Sequence, residues 1–254
     1  NTYYEPNNAT IVIVGDIDSE KMIGEIKKYF GDIKKGPEPP VVFVQEPPQQ
    51  GERRVYLKKE AELPTVYAMY HTPNLADNDS YALDVLATVL SGGKSSRFYK
   101  DLVYEKQIAQ SADADYDPVS KDPNTLTLGA GVMPGKKADE VEQALYGEVE
   151  KLKTEPVTDH ELQKTKNQIE ASFIIGQDSN FNRAMMLGRY ESVASWKLLL
   201  KYLDGINAVT AADVQRVAVK YLTPENRTVG TLVPLPVPEG GGPAMPSMPG
   251  GAIR

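Results

Sequence analysis

Cysteine is absent from the 254 residues, histidine occurs twice and tryptophan once. Without a thiol the chain can form no disulfide, no thiolate zinc or iron–sulfur site and no cysteine nucleophile. The two histidines, His71 and His160, stand far apart, and neither lies in a His-x-x-Glu-His arrangement. Catalytic zinc takes three protein ligands, commonly two imidazoles on one helical face, so this chain supplies no metal site. No stretch approaches the roughly 18 apolar residues that span a bilayer. Lys and Arg number 28 against 35 Asp and Glu, a net charge of −7, and no basic run stands out. A nucleic-acid partner is therefore excluded. Asn1-Thr2-Tyr3-Tyr4 carries neither the basic flank nor the apolar core of a signal peptide, and it lacks an initiating Met. The expectation is that something precedes it.

What is present is ordinary globular material: 41 % apolar and 25 % charged residues. A chain of this size buries roughly 70–75 % of its unfolded surface and needs no covalent staple. Ala9–Gly15 (A-T-I-V-I-V-G) reads as a buried strand, followed by a helix capped at Asp18-Ser19 with Met22, Ile23, Ile26 and Phe30 at helical spacing. Pro37, Pro39, Pro40, Pro47 and Pro48 make a stiff linker over 37–52. Strands are expected at Arg53–Lys59, Thr65–Thr72, Ala109–Tyr116, Leu126–Met133 and Arg227–Val233. Helices are expected at Asn78–Leu90, Ser95–Gln110, Lys137–Thr154, from a Thr158–Glu161 capping box through Phe173, at Phe181–Ser192, Trp196–Leu203 and Ala211–Leu222. The tail from Pro234 is rich in Pro and Gly and reads as flexible. Strands followed by runs of helices indicate an α+β fold.

Two places echo each other. Tyr4-Glu-Pro6-Asn7-Asn8-Ala-Thr10 and Tyr221-Leu-Thr-Pro224-Glu-Asn226-Arg-Thr228 each lead through Pro-x-Asn-x-Thr into a β-branched run. A separation that long marks a duplicated domain, not a solenoid period, with chance as the alternative.

Asn8–Asp18, Lys28–Ile33 (K-Y-F-G-D-I), Gly92–Tyr99 (G-G-K-S-S-R-F-Y), Leu102–Ala109 (L-V-Y-E-K-Q-I-A), Thr158–Asn167 and Leu187–Glu191 occur in an order that resembles the pitrilysin/insulinase family of zinc metallopeptidases, which includes the mitochondrial processing peptidase. The resemblance covers nearly everything from Tyr3 to Pro234. It implies a duplicated α+β domain, each copy a mostly antiparallel sheet covered by helices, with two halves closing on a peptide and the zinc motif in the first half. Residues 1–36 would then end a preceding domain, 37–52 link, 53–233 form the complete second repeat and 234–254 trail. No cofactor is expected in this chain, zinc being held by the N-terminal half or a catalytic subunit. The partners implied are that half and a peptide substrate, with a dimer left open. Bacterial relatives suggest the periplasm or the exterior, the cytoplasm remaining open.

In active relatives an Arg and, seven residues on, a Tyr reach the substrate carbonyl, where such donors stabilise an oxyanion. The resemblance sets Val103 and Gln110 at these positions, with Tyr104 where some relatives shift the Arg. The donor pair is altered. The substrate-facing candidates are Arg97, Tyr104, Gln107 and Gln110, against a plain solvated helix with Val103 in the core. Gly92-Gly93 reads as a helix stop, although non-catalytic subunits of the processing peptidase hold substrate with a glycine-rich loop near this place. Lys94, Arg97, Lys100 and Lys106 with Asp101 and Glu105 read as a mixed solvated face, and Arg189-Tyr190-Glu191 with Trp196 as core packing. The first functional reading is thus the non-zinc half of a peptidase, inactive alone. The second is a catalytically silent binding or scaffold subunit, and the third an unrelated α+β binding protein.

Overall fold

The computed structural model describes residues 2–42 and 46–235. Residues 43–45 of the expected linker and the tail from 236 onward lie outside the described residues. Five strands form one sheet: β1 (Arg53–Glu60), β2 (Thr65–Thr72), β3 (Ala109–Tyr116), β4 (Asn124–Val132) and β5 (Arg227–Leu235), in the order β1-β5-β2-β4-β3. Three ladders are antiparallel and only β1 with β5 is parallel. Pro234 and Leu235, assigned to the tail from their composition, pair with Lys59 and Glu60 and extend β5. At this sheet position proline's missing N–H costs only one ladder bond.

Among the described residues seven α-helices accompany the sheet: α1 (Ser19–Phe30), α2 (Asp79–Ser91), α3 (Ala138–Thr154), α4 (Asp159–Gly176), α5 (Asn180–Val193), α6 (Lys197–Ala208) and α7 (Ala211–Tyr221). The period-2 pattern of β2 explains the layering. Val66, Ala68, Tyr70 and Thr72 are buried while Tyr67, Met69 and His71 are exposed, and β4 repeats this with Leu126, Leu128, Ala130 and Val132 inward. Leu83, Leu86 and Leu90 of α2, Val141, Leu145 and Val149 of α3, and Val214 and Val217 of α7 complete the same core. Each such fully buried side chain contributes about 1.5–3 kcal/mol. Among the described residues the helices therefore cover one face of the sheet and leave the other open.

Ion pairs pin the layers together. The buried carboxylate of Glu142 on α3 receives Arg54 from β1, with Nη1 at 3.1 Å and Nη2 at 2.5 Å. Removing the guanidinium would strand a desolvated charge, so Arg54→Ala is expected to lower stability by about 3 kcal/mol in denaturant unfolding. Arg54→Ala combined with Glu142→Gln should recover most of that loss.

The described residues before β1 depart from the expectation. The β-branched run over residues 9–15 predicts a buried strand, yet these residues have no ladder partner among the described residues. Ile11 and Ile13 are exposed, Val12 lies beside Gly188 on α5, and Val14 lines a pocket together with Leu199, Leu200 and Leu203 of α6. α1 follows with no buried residue. Its apolar stripe is only partly covered among the described residues: Met22 and Ile26 are half-buried, while Ile23 and Phe30 stay exposed.

The echo survives as geometry. Pro6–Asn8 and Pro224–Asn226 are both short 3-10 turns with Pro at their start, and each passes into extended backbone. Asn8 donates to the Tyr3 carbonyl at 2.8 Å and Asn226 to the Tyr221 carbonyl at 2.7 Å. The bonds equate Tyr3, and not Tyr4, with Tyr221. The second copy leads into β5 inside the sheet; the first leads into residues 9–15.

Candidate functional site

The open sheet face is built by alternation. Register places Val55 of β1, Gly230 of β5, Tyr67 of β2, Gly129 of β4 and Asp113 of β3 in one row across all five strands. Gly129 is required here: a Cβ would come within 2.8 Å of the Tyr67 ring and 2.9 Å of an Asp113 carboxylate oxygen. Gly129 leaves β4 bare between Tyr67 of β2 and Asp113 of β3, Gly131 does the same between Thr65 and Ser111, and Gly230 leaves β5 bare between Val55 of β1 and Tyr67 of β2. Burial and the neighbouring Asp115 push the Asp113 carboxyl upward. The sequence reading missed this surface, although the Gly-x-Gly of β4 and the Ser-x-Asp-x-Asp of β3 carry its period-2 signal.

The Ser95–Gln110 segment is not one helix. A π-helical turn spans Tyr99–Glu105, closed by Lys106 N–H to Asp101 O at 2.9 Å and Ile108 N–H to Leu102 O at 3.0 Å. Gln107 takes φ +51°, the only positive value at a non-glycine among the described residues. A β-bulge follows between Ala109 and Ser111, so Gln110 lies on β3 instead of a helix. Widened helical turns of this kind recur at functional sites.

The segment brings Tyr104, Gln107 and Gln110, all exposed, to the approach to edge strand β3. Val103 is partly buried against the core. Arg97 is engaged elsewhere. It forms a two-pronged bond to Glu161 of α4, Nε at 2.9 Å and Nη2 at 2.8 Å, and this partner holds the Glu161 carboxyl below its usual range. The expected capping box at Thr158 is therefore half of one: Thr158 accepts from the Glu161 N–H, while the Glu161 side chain turns to Arg97. Lys106 pairs with Asp101 at 2.6 Å. Relief of left-handed strain in Gln107→Gly, worth about 1–2 kcal/mol and offset by added chain entropy, should give a net gain of about 0.5–1 kcal/mol in urea unfolding.

Other candidates find structural places. Gly92 ends α2, and Gly93 follows at φ +82°. Arg189 pairs with Asp117 and Tyr190 is buried, but Trp196 is 41 % exposed at the start of α6 and does not anchor the core. His71 is exposed in β2, its carbonyl accepting from Asn226, and His160 is exposed in the first turn of α4. Among the described residues no three His, Asp or Glu side chains group closely enough to hold a metal ion.

Residues 1–169 match the family model described as the Peptidase M16 inactive domain. The chain belongs to the M16 peptidase family. Zinc protease PqqE of Helicobacter pylori is 31 % identical over 235 residues, 91 % of this chain and 53 % of that protein. The crystal structure of a protease from Helicobacter pylori superposes with a TM-score of 0.86 at 30 % identity, covering 92 % of this chain and 57 % of that one. The inactive peptidase domain of a zinc protease from Bordetella parapertussis gives a TM-score of 0.65 at 27 % identity over 72 % of this chain and 96 % of that domain. The chain spans about half the length of the curated relatives it matches. The pitrilysin/insulinase resemblance and the α+β sheet-and-helix fold both hold, and this M16 chain is of the inactive-domain kind, with zinc proteases as relatives.

Proposed function

We propose that this M16 chain is the second wall of a peptide-binding cleft and supports proteolysis only when joined to a zinc-bearing half. One observation carries the reading: the β-branched run over residues 9–15 joins no sheet among the described residues. Their equivalents after Pro224 sit between β1 and β2. The first copy has the same turn, the same Asn bond and exposed Ile11 and Ile13, but no flanking strands among the described residues. An apolar groove of about 870 Å³ beside it, lined by Tyr3, Tyr4, Ile11, Phe30 and Ile33, is uncovered as well. Unpaired backbone and bare apolar surface together are what a missing sheet would satisfy. Residues 2–36 accordingly complete the sheet of the zinc-bearing half, residues 37–52 link, and residues 53–235 form this wall.

The peptide runs along the open face toward β3, with Tyr104, Gln107 and Gln110 offering O–H and amide donors to its carbonyls. Arg97 serves by fixing the segment that carries them. Zinc belongs to the other half, where it would activate the attacking water.

The test assays an extended fluorogenic peptide with this chain alone, with the zinc-bearing half alone and with both. Turnover confined to the joined sample, and abolished by a chelator, is the expected result. Chelator-resistant turnover by this chain alone would overturn the reading. A joined sample that binds the peptide without cutting it would point instead to a silent scaffold.

A further inference from the structure

On the helical side, away from the open sheet face, α2, α4, α5, α6 and the 117–119 turn line an open cavity of about 660 Å³. Its walls are mostly apolar and aromatic, with the rings of Phe173 and Tyr202 tilted against each other at 5.0 Å between centroids and Met185, Met186 and Tyr190 alongside. Asp84 of α2 stands in this wall, enveloped by protein but keeping a partly accessible surface. Its Oδ2 accepts from the Tyr202 hydroxyl at 2.5 Å, and no described hydrogen bond reaches Oδ1. The lone cation among the lining residues, Arg189, is tied to Asp117 and donates to the Val119 carbonyl at 3.2 Å. Among the described residues Asp84 therefore has no cationic partner, while Asp117, the other carboxylate of the lining, has Arg189.

We infer that this cavity is a binding site for a protonated amine carried on an apolar stem, with Asp84 as its counter-ion. The stem fits the Met and aromatic walls, and the ammonium group meets both Oδ1 and the π faces of Tyr190, Tyr202 and Phe173. The surroundings favour positive charge. Burial, with Asp115 and Asp117 nearby, raises the Asp84 carboxyl to about 6 despite the Tyr202 hydrogen bond. The groups facing it are Tyr81 of α2, Tyr190 and Arg189 of α5, Tyr202 of α6, and Asp115 and Asp117. Asp84 itself gains its charge as pH rises through about 6, so amine binding should strengthen across that value. A small organic amine and a lysine side chain share this chemistry.

A carboxyl whose folded pKa is raised contributes stability at low pH that disappears as pH climbs from its unfolded value toward 6. Asp84→Asn should therefore unfold at a higher temperature than the native chain at pH 8 and at a similar one at pH 4. That stability profile also certifies the variant as folded.

The experiment titrates hexylammonium, 1-hexanol and Nα-acetyl-lysine methylamide into the full chain at pH 8, read by calorimetry and by the tyrosine ring signals of NMR spectra. Saturable hexylammonium binding that perturbs Tyr190 and Tyr202 is expected. It should be weakened about tenfold or more in Asp84→Asn, the loss of one buried ion pair, and blocked by the cavity-filling Met186→Trp. Equal binding of the lysine derivative would assign the site to basic peptide side chains, and its failure beside a binding hexylammonium to free amines. Both support the site. Hexanol binding as tightly as hexylammonium, an Asp84→Asn variant that binds like the native chain, or no amine binding at all would overturn it.

Discussion

Asp79→Asn is expected to cost about 2 kcal/mol at pH 7 and Asp79→Ala somewhat more, because this carboxylate fastens two layers of the core. Asp79 opens α2 and is 8 % exposed. It accepts from Arg216 at 2.7 Å, from Lys220 at 2.8 Å and from the Tyr221 hydroxyl at 2.8 Å, all on α7. Burial alone would raise its pKa, but the bonds from Lys220, Tyr221 and Arg216 prevail and hold it at about 2. The first turn of α2 adds a favourable dipole. A folded pKa below the unfolded one stabilises the chain above about pH 4, and that share is lost as pH falls through about 2. The native chain and Asp79→Asn should therefore converge in stability near pH 2. Chemical denaturation across that range measures the effect, and a gap that stayed constant with pH would contradict the ion-pair explanation.

The second large effect concerns assembly. Ile11→Asp with Ile13→Asp places two carboxylates on the exposed edge of residues 9–15, where they would have to enter a dry interface. Burying unpaired charge costs far more than the roughly 2.7 kcal/mol that a hundredfold change in affinity represents. Association with the zinc-bearing half should fall at least ~100-fold, and peptide turnover with it. Unfolding of the β1–β5 core should scarcely change, since neither side chain contributes to it. Analytical ultracentrifugation of the two halves, beside thermal unfolding of this chain, separates loss of partner from loss of fold.

Much of the fold was legible because it is written in local chemistry. β2 and β3 begin and end where their alternation does, and Thr210 with Asp213 forms the full capping box that the Thr-x-x-Asp spacing allows. The readings that failed share one cause, a local signal decided by distant neighbours. Glu161 carried the right spacing for a capping box and was drawn away by Arg97, 64 residues earlier. Val12 and Ile13 had the composition of a buried strand, yet burial depends on strands the described chain does not place beside them. Gln110 fell in both the expected helix over 95–110 and the expected strand over 109–116, and the π-turn with the left-handed Gln107 ends the helix in favour of the strand. The open sheet face was hidden for another reason: it is assembled from five strands spread over residues 53–235, and only their register sets Tyr67, Gly129 and Asp113 in one row. Asp84 likewise gave no sign, since one acid on an amphipathic helix resembles any solvated position.

Amide hydrogen exchange of residues 9–15 tests the central claim most directly, measured in this chain alone and again joined to the zinc-bearing half. Exchange near the unprotected rate in isolation, slowing by about 100-fold or more on joining, is the result expected of a strand that finds its sheet. Strong protection in the isolated chain, or none in the joined protein, would contradict it.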